Sequence, residues 1–402
     1  MNWIVEPFLV DINAYGWLAP FALTSMAAGL SFLWGLGAAV GCRLFQKMHL
    51  GLALGIGIAE VLRGFLFTGF PWGLIGYVWS NTPLAQVSAY VGIYGLTLLT
   101  IFSSALAVLP KTGRNCVISI TALLGVIGLT WAGGLYRIAQ FKLEYSLNIV
   151  RLAQPNAPQA LKWDPDYTRI FFERLLTQTQ AEPKPDLVIW PESALHLPFE
   201  FAEDLLAELS HAAQGTPVLL GALRIEQERY FNSIIHLNTE GEAKPVYDKY
   251  HLVPFGEYLP FEEVLGRMGL TALAEFAGTG FAMGKGPLVF EIAQLGKVLP
   301  LICYEAVFPQ DVSDAPLRAD VMVQLTNDAW FGSFSGPQQH LVKAQMRSIE
   351  QGVSLLRVAN TGITGMIDPL GSLNQFLPLN ETGYIDVSVA KALPPTLYSR
   401  FG

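Results

Sequence analysis

Over the first third of the chain, apolar positions run on almost unbroken. Beyond it they recur at strand and helix spacing. Residues 12–42, 64–110 and 115–136 contain no Asp, Glu, Lys or Arg. A helix needs about 20 consecutive apolar residues to cross a bilayer, so the pattern predicts membrane spans near 16–42, 50–69, 86–109 and 116–136. Helices buried in a large soluble domain seldom run so long and so apolar.

From about residue 143 the runs shorten. "LNIVRLAQ" (147–154), "DLVIWPE" (186–192) and "TPVLLGAL" (216–223) read as strands, as do 298–304, 321–326 and 354–359. Between them, 167–180, 201–213 and 338–352 carry apolar residues at helical spacing. Strands alternating with helices predict an α/β domain with largely buried sheets. The expected organisation is a membrane region over 1–142, an α/β domain over 143–395, and the start of a shortened C-terminal segment over 396–402. The Gly-rich "GTGFAMGKG" (278–286) follows no clear strand and opens no clear helix, so it reads as a mobile loop rather than a phosphate cradle.

Composition sharpens the division. The 402 residues are 51% hydrophobic and 14% charged, with a mean hydropathy of +0.37. That is too apolar for an ordinary soluble domain and too charged for a wholly embedded one. Residues 1–146 hold 7 basic and 4 acidic residues, a net +3, and the remainder hold 18 and 29, a net −11. Arg43 and Lys47 follow the first expected span, and Lys111 and Arg114 the third. By the positive-inside rule those loops are cytoplasmic, which puts everything after about residue 140 outside the cytoplasm. In a bacterium with two membranes that is the periplasm. No cleavable leader is expected, because the first apolar run is too long and lacks a charged start. No metal-type Cys/His spacing occurs, and neither a cofactor nor a nucleic-acid partner is expected.

Three cysteines are present, and Cys303 alone lies in the outer domain. A single cysteine in an oxidising compartment is no internal disulfide. It is either a small buried hydrophobe or a thiol kept for chemistry. Cys303 ends the run "KVLPLIC" at a strand-to-helix corner, where exposure and helix amides would favour a thiolate; inert core packing is the competing reading. Glu192, in "VIWPESAL" (188–195), follows an apolar strand stopped by proline, at the sheet end where open α/β folds place ligands. It also reads as an ordinary acid at a helix start. Lys249 and Glu257 lie in "YDKYHLVPFGEYLPF" (247–261), a rigid Pro- and Gly-broken loop. They make either a surface ion pair of small value or a buried pair that requires partners. A base, a cation and a thiol on one scaffold together suit acyl transfer through a thioester. His196, His211, His236, His251 and His340 stand in no recognisable Cys–His motif.

Glu192 in "WPES", Lys249 in "DKYHLVPFGEYLP" and Cys303 in "ICYE" resemble the Glu-Lys-Cys triad of the nitrilase superfamily. "LRGFLFTGFPWGLIGY" (62–77), "ALKWD" (160–164), "TNDAWFG" (326–332) and "LLRVANTGITGMIDPLG" (355–371) narrow the resemblance to the apolipoprotein N-acyltransferases of bacterial inner membranes. The resemblance implies a nitrilase-like α-β-β-α sandwich on a multi-span helical membrane base. It also implies further spans before the segment matching "MNWIVEPF" and a final one after "LYSRFG". In the reaction it implies, an acyl chain from a phospholipid, typically phosphatidylethanolamine, passes to a cysteine and then to the α-amino group of a diacylglyceryl-modified apolipoprotein. By position, Cys303 is the implied nucleophile, Glu192 the general base and Lys249 the oxyanion partner. Glu257, Tyr304 and Glu305 are implied auxiliaries, and Trp163 and Trp330 lie near the substrate entrance. Arg63 reads either as a headgroup contact or as a snorkelling cation. A membrane-tethered amide or nitrile hydrolase using the same triad, and a non-catalytic lipoprotein-binding module, are the competing functions.

Overall fold

The computed structural model describes residues 2–107, 114–260 and 280–402. Lys111 of the expected cytoplasmic loop, the end of the third expected span and residues 278–279 of the Gly-rich stretch lie outside the described residues.

Short helical turns over residues 2–18 lead into α1 (Ala19–Leu44), and a three-residue connection returns the chain in α2 (Met48–Leu62). The two pack backbone to backbone: a Cβ on Gly55 would stand 1.9 Å from the Gly37 carbonyl oxygen, and one on Gly41 2.0 Å from that of Gly51. Small residues permit such an approach where lipid offers no hydrophobic drive for helix association. Then come α3 (Ser88–Ala107), kinked at Gly92 (φ +66°), and α4 (Arg114–Gln140). Phe21, Phe32 and Leu36 on α1 and Leu124 and Leu129 on α4 are exposed, as lipid-facing side chains are.

The expected second span is shorter than the hydropathy suggested. Three stretches, Ile12–Leu44, Pro83–Ala107 and Val117–Gln140, are long and apolar enough to cross a membrane, but α2 has 15 residues, about 22 Å at 1.5 Å per residue. It stops at Arg63 because Gly64, Gly69, Pro71 and Gly73 turn the still-apolar chain into irregular backbone. That backbone folds back under the α/β domain, with Gly69 and Gly73 at positive φ.

The outer domain contains two six-stranded sheets. The first takes β1 (Tyr145–Gln154), β2 (Leu187–Ile189), β3 (Val218–Glu226), β4 (Arg229–Leu237) and β5 (Ala243–Asp248). The second takes β6 (Phe290–Ile292), β7 (Gly296–Ile302), β8 (Val321–Thr326), β9 (Ser354–Ala359), β10 (Thr364–Ile367) and β11 (Leu373–Leu377). The last strand, β12 (Gly383–Ala390), returns to pair antiparallel with β1, giving the order β12-β1-β2-β3-β4-β5. Strands β1-β2-β3 and β7-β8-β9 are parallel at the sheet centres, where strands buried on both faces read as continuous apolar runs.

Alternation along β2 shows the layering. Leu187 and Ile189 face the second sheet, joining Val298, Ile302, Val323 and Val358 in the core between the sheets. Val188 and Trp190 face outward, under α5 (Pro165–Gln180) and α6 (Glu203–Ala213), through Phe172, Leu175 and Leu209. On the far side α7 (Gly336–Gln351) covers the second sheet through Ala344. The result is the expected four-layer α-β-β-α sandwich. Helix α7 has a second neighbour: Met346 and Ile349 pack against Leu74, Ala89, Ile93 and Leu96 of the membrane region, and Glu350 Oε1 accepts the Ile93 N–H at the α3 kink, 2.7 Å away.

Candidate active site

The three triad residues each follow the carboxyl end of a strand: Glu192 just beyond β2, Lys249 next after β5, and Cys303 next after β7. The first two come from one sheet and the third from the other, so the site lies where the sheets' ends meet. Gly221 of β3 makes room for Glu192, since a Cβ there would stand 2.6 Å from the Glu192 Cα. Ser193 (φ +49°) and Cys303 (φ +50°) are both left-handed, a conformation non-glycine residues adopt at a cost, often at functional sites.

Glu192, Lys249 and Cys303 are all buried. Asn232 of β4 donates from Nδ2 to Glu192 Oε1 at 2.7 Å. Lys249 Nζ donates to Glu257 Oε1 at 2.8 Å and stands 4.0 Å from Glu192 Oε1. The other oxygen of Glu257 accepts the Val253 N–H at 2.7 Å. Lys249 and Glu257 thus form a buried, partnered pair. Burial raises the Glu192 carboxyl above its ordinary range; Lys249 works against the rise and Glu257 adds to it. Burial opposes the Lys249 charge, but the carboxylates of Glu257 and Glu192 outweigh it and hold the ammonium well above the usual lysine value.

Cys303 departs from expectation. Its thiol is buried, and burial together with the Glu192 charge pushes it far above the ordinary thiol range, against the pull of Lys249 and a hydrogen bond with Thr326. The resting group is therefore a protonated thiol, and a neighbouring base has to take its proton during attack.

The auxiliaries separate. Glu305 spends its carboxylate on holding backbone: Oε1 accepts from Tyr247 O–H (2.6 Å), Tyr250 N–H (2.7 Å) and His251 N–H (3.1 Å), and Oε2 from Ile302 N–H (2.6 Å). It thereby fastens the Lys249 loop to the Cys303 turn. Tyr304 is buried edge-on to Phe308. Trp163 and Trp330 are 43% and 40% exposed, fit for an entrance. Arg63 is neither a surface contact nor snorkelling: it is buried at 4% exposure, its guanidinium 2.9 Å from Glu60 and over the Trp34 ring. A charge this deep is retained only when paired.

Sequence reasoning passed over Lys162 and Asn232. Lys162 is buried, donates from Nζ to the Glu192 carbonyl oxygen at 3.0 Å and lies over the Trp163 ring. Its place inside the quoted "ALKWD" was the available signal.

Residues 149–393 match the family model described as carbon-nitrogen hydrolase, and residues 1–106 match the apolipoprotein N-acyltransferase N-terminal domain. An apolipoprotein N-acyltransferase of Rhodopseudomonas palustris is 36% identical over 428 residues, covering all of this chain and 80% of that protein. One from Brucella melitensis is 36% identical, covering 96% of this chain and 76% of the relative. The chain belongs to the apolipoprotein N-acyltransferase family. Among solved structures, an amidase from Nesterenkonia sp. aligns with a TM-score of 0.46 and 18% identity over 64% of this chain and 94% of its own.

Within this N-acyltransferase chain, Lys162 gives a prediction of opposite signs. Burial pulls its ammonium down to about 8, against the charge of Glu192. Below pH 8 the folded chain holds a buried cation at full cost. Between about 8 and the unfolded value of 10.5 it sheds the proton before the unfolded chain does, so stability rises with pH there. Lys162→Met should therefore stabilise the protein at pH 7, on the order of 3 kcal/mol from the shift, with the gain vanishing by pH 10.5. It should also slow acyl transfer about tenfold by freeing the Glu192 loop. Thermal unfolding against pH and a single-turnover rate test both signs.

Proposed function

We propose that the protein anchors in the bacterial inner membrane with its α/β domain facing the periplasm. There it moves an acyl chain from a phospholipid, with phosphatidylethanolamine as donor, through a Cys303 thioester to the α-amino group of a diacylglyceryl apolipoprotein. The observation that carries this reading is the buried Glu192–Lys249–Glu257 arrangement around a protonated Cys303, set over a lipid-facing helical base.

In the first step Glu192, whose Oε2 has no hydrogen-bond partner among the described residues, takes the thiol proton as Sγ attacks the ester carbonyl. Lys249 stabilises the oxyanion. Collapse expels the lysophospholipid oxygen, which leaves with the proton from Glu192 and gives the thioester. In the second step the α-amine attacks, Glu192 takes its proton, and Sγ departs and recovers it. Burial raises the Glu192 carboxyl above its ordinary range and so makes its carboxylate a stronger base for the thiol and amine protons, which suits a group that must both take and return a proton. Cys303→Ala removes the carrier and serves as the blank.

Membranes holding the full chain, given phosphatidylethanolamine, should yield a hydroxylamine-labile acyl group on the Cys303 peptide by mass spectrometry. No adduct on the intact protein, or an unchanged adduct in Cys303→Ala, overturns the reading. A thioester that water discharges as fast as the amine would make the enzyme a hydrolase.

A further inference from the structure

Behind the Cys303 turn lies a buried polar cluster that the acyl-transfer steps leave unused. The Cys303 carbonyl accepts from Gln324 Nε2 at 3.0 Å, and His340 Nε2 lies 3.0 Å from the same oxygen. The two nitrogens are 3.2 Å apart. The three atoms thus form a nearly equilateral triangle. A carbonyl oxygen only accepts, so the ring nitrogen 3.0 Å from it donates to it. Asp328 holds the ring's other nitrogen at 2.9 Å and Arg357 Nη2 at 2.5 Å, while Arg357 Nη1 donates to Gln324 Oε1 at 2.6 Å. Gln324, Asp328, His340 and Arg357 have no exposed surface.

The His340 ring also meets the membrane base. Trp72, in the irregular segment after α2, packs on it with centroids 5.6 Å apart and planes 30° apart. Trp72 is clamped to the same helix: its Nε1 donates to Gln339 Oε1 at 2.7 Å, and Lys343 Nζ lies 4.2 Å above its ring. A left-handed non-glycine residue persists only where its surroundings over-determine it, and two donors on the Cys303 carbonyl do that.

We propose that His340 is a positioning residue that fixes the Cys303 peptide, and that Trp72 of the membrane base acts on the nucleophile through it. The inference rests on the reading of Cys303 as acyl carrier. It gives the apolar "TGFPW" segment a part in aiming the thiol.

The test uses the full chain in phosphatidylethanolamine vesicles, with two readouts: single-turnover acylation against donor concentration, and iodoacetamide alkylation of the Cys303 peptide. Trp72→Ala and His340→Leu should each lower the acylation rate constant about 10–100-fold with half-saturation moved less than about twofold, as expected for a displaced reacting atom. Trp72→Phe and His340→Gln, which keep a ring and a donor, should recover most of it. The double variant Trp72→Ala/His340→Leu should be no slower than the slower single one, because both act on one path. Multiplying effects, a wild-type rate in His340→Leu, or a Trp72→Ala defect confined to half-saturation overturns the proposal. If His340→Leu does not fold, Trp72→Ala against Trp72→Phe decides, and equal rates overturn it. Alkylation separates the two readings: the same order of rates in a chain that never acylates would keep the positioning and discard the acyl carrier.

Discussion

Glu192→Gln should slow thioester formation by about 10²–10⁴-fold, the usual worth of a positioned general base, while leaving lipid partitioning and folding nearly intact. The substitution is close to isosteric, and Asn232 can still donate to the remaining carbonyl oxygen. What disappears is a carboxylate whose Oε2 has no hydrogen-bond partner among the described residues. Because burial holds the Cys303 thiol well above its ordinary range, the reaction cannot draw on a standing thiolate. The wild-type acylation rate should rise with pH through the raised Glu192 value and then level off, since the base must be ionised to act. Glu192→Gln should lose that rising limb. A variant within about threefold of wild type, or one retaining the limb, would remove Glu192 from the role of base.

The sandwich and the triad were legible because each central strand is buried on both faces. In "VIW" and "VLPLIC" the apolar run stops at the strand's carboxyl end, and a triad member, Glu192 or Cys303, stands at that stop or within two residues of it. Of the strands not legible in the sequence, β4, β5, β6, β10, β11 and β12, three depart clearly from this pattern. Strand β11, "LNQFL", is mostly exposed, β12 mixes polar and apolar positions, and β6 has three residues. Hydropathy likewise sees an apolar run through residue 69 and misses the glycines and proline that end α2 at Leu62.

Helix α7 shows a deeper limit. "GPQQHLVKAQMRSIEQ" places His340, Lys343, Arg347 and Glu350 where a solvated face would be expected, yet all four are buried. They are buried because α7 is wedged between the second sheet and the membrane helix α3, a long-range fact that no local pattern carries. Arg347 and Glu350 are kept as a pair at 2.7 Å, as burial demands, while Lys343 donates to the Gln339 carbonyl and lies over the Trp72 ring. Lys162 escaped for the same reason: its environment comes from the Glu192 loop, 30 residues away in the chain.

Lys249→Met should lose activity and stability together, and the two losses can be parted. Lys249 has 1% exposure and is the only cation bonded to Glu257 among the described residues. Removing it leaves a buried carboxylate uncompensated, a change that typically costs about 3–5 kcal/mol. It also removes the charge facing the oxyanion, a loss of about 10²–10³ in rate. Adding Glu257→Gln should restore most of the stability, because a neutral amide still accepts the Val253 N–H and no longer needs a cation. It should restore none of the rate, because the oxyanion partner is still missing. Thermal unfolding and single-turnover acylation of the wild type, the single and the double variant give the comparison. Recovery of both quantities in the double variant would reduce Lys249 to a structural counter-charge; recovery of neither would mean that the pair with Glu257 is not what its charge stabilises. Recovery of stability alone is the result expected of a cation that burial would neutralise and that two carboxylates keep charged for the reaction.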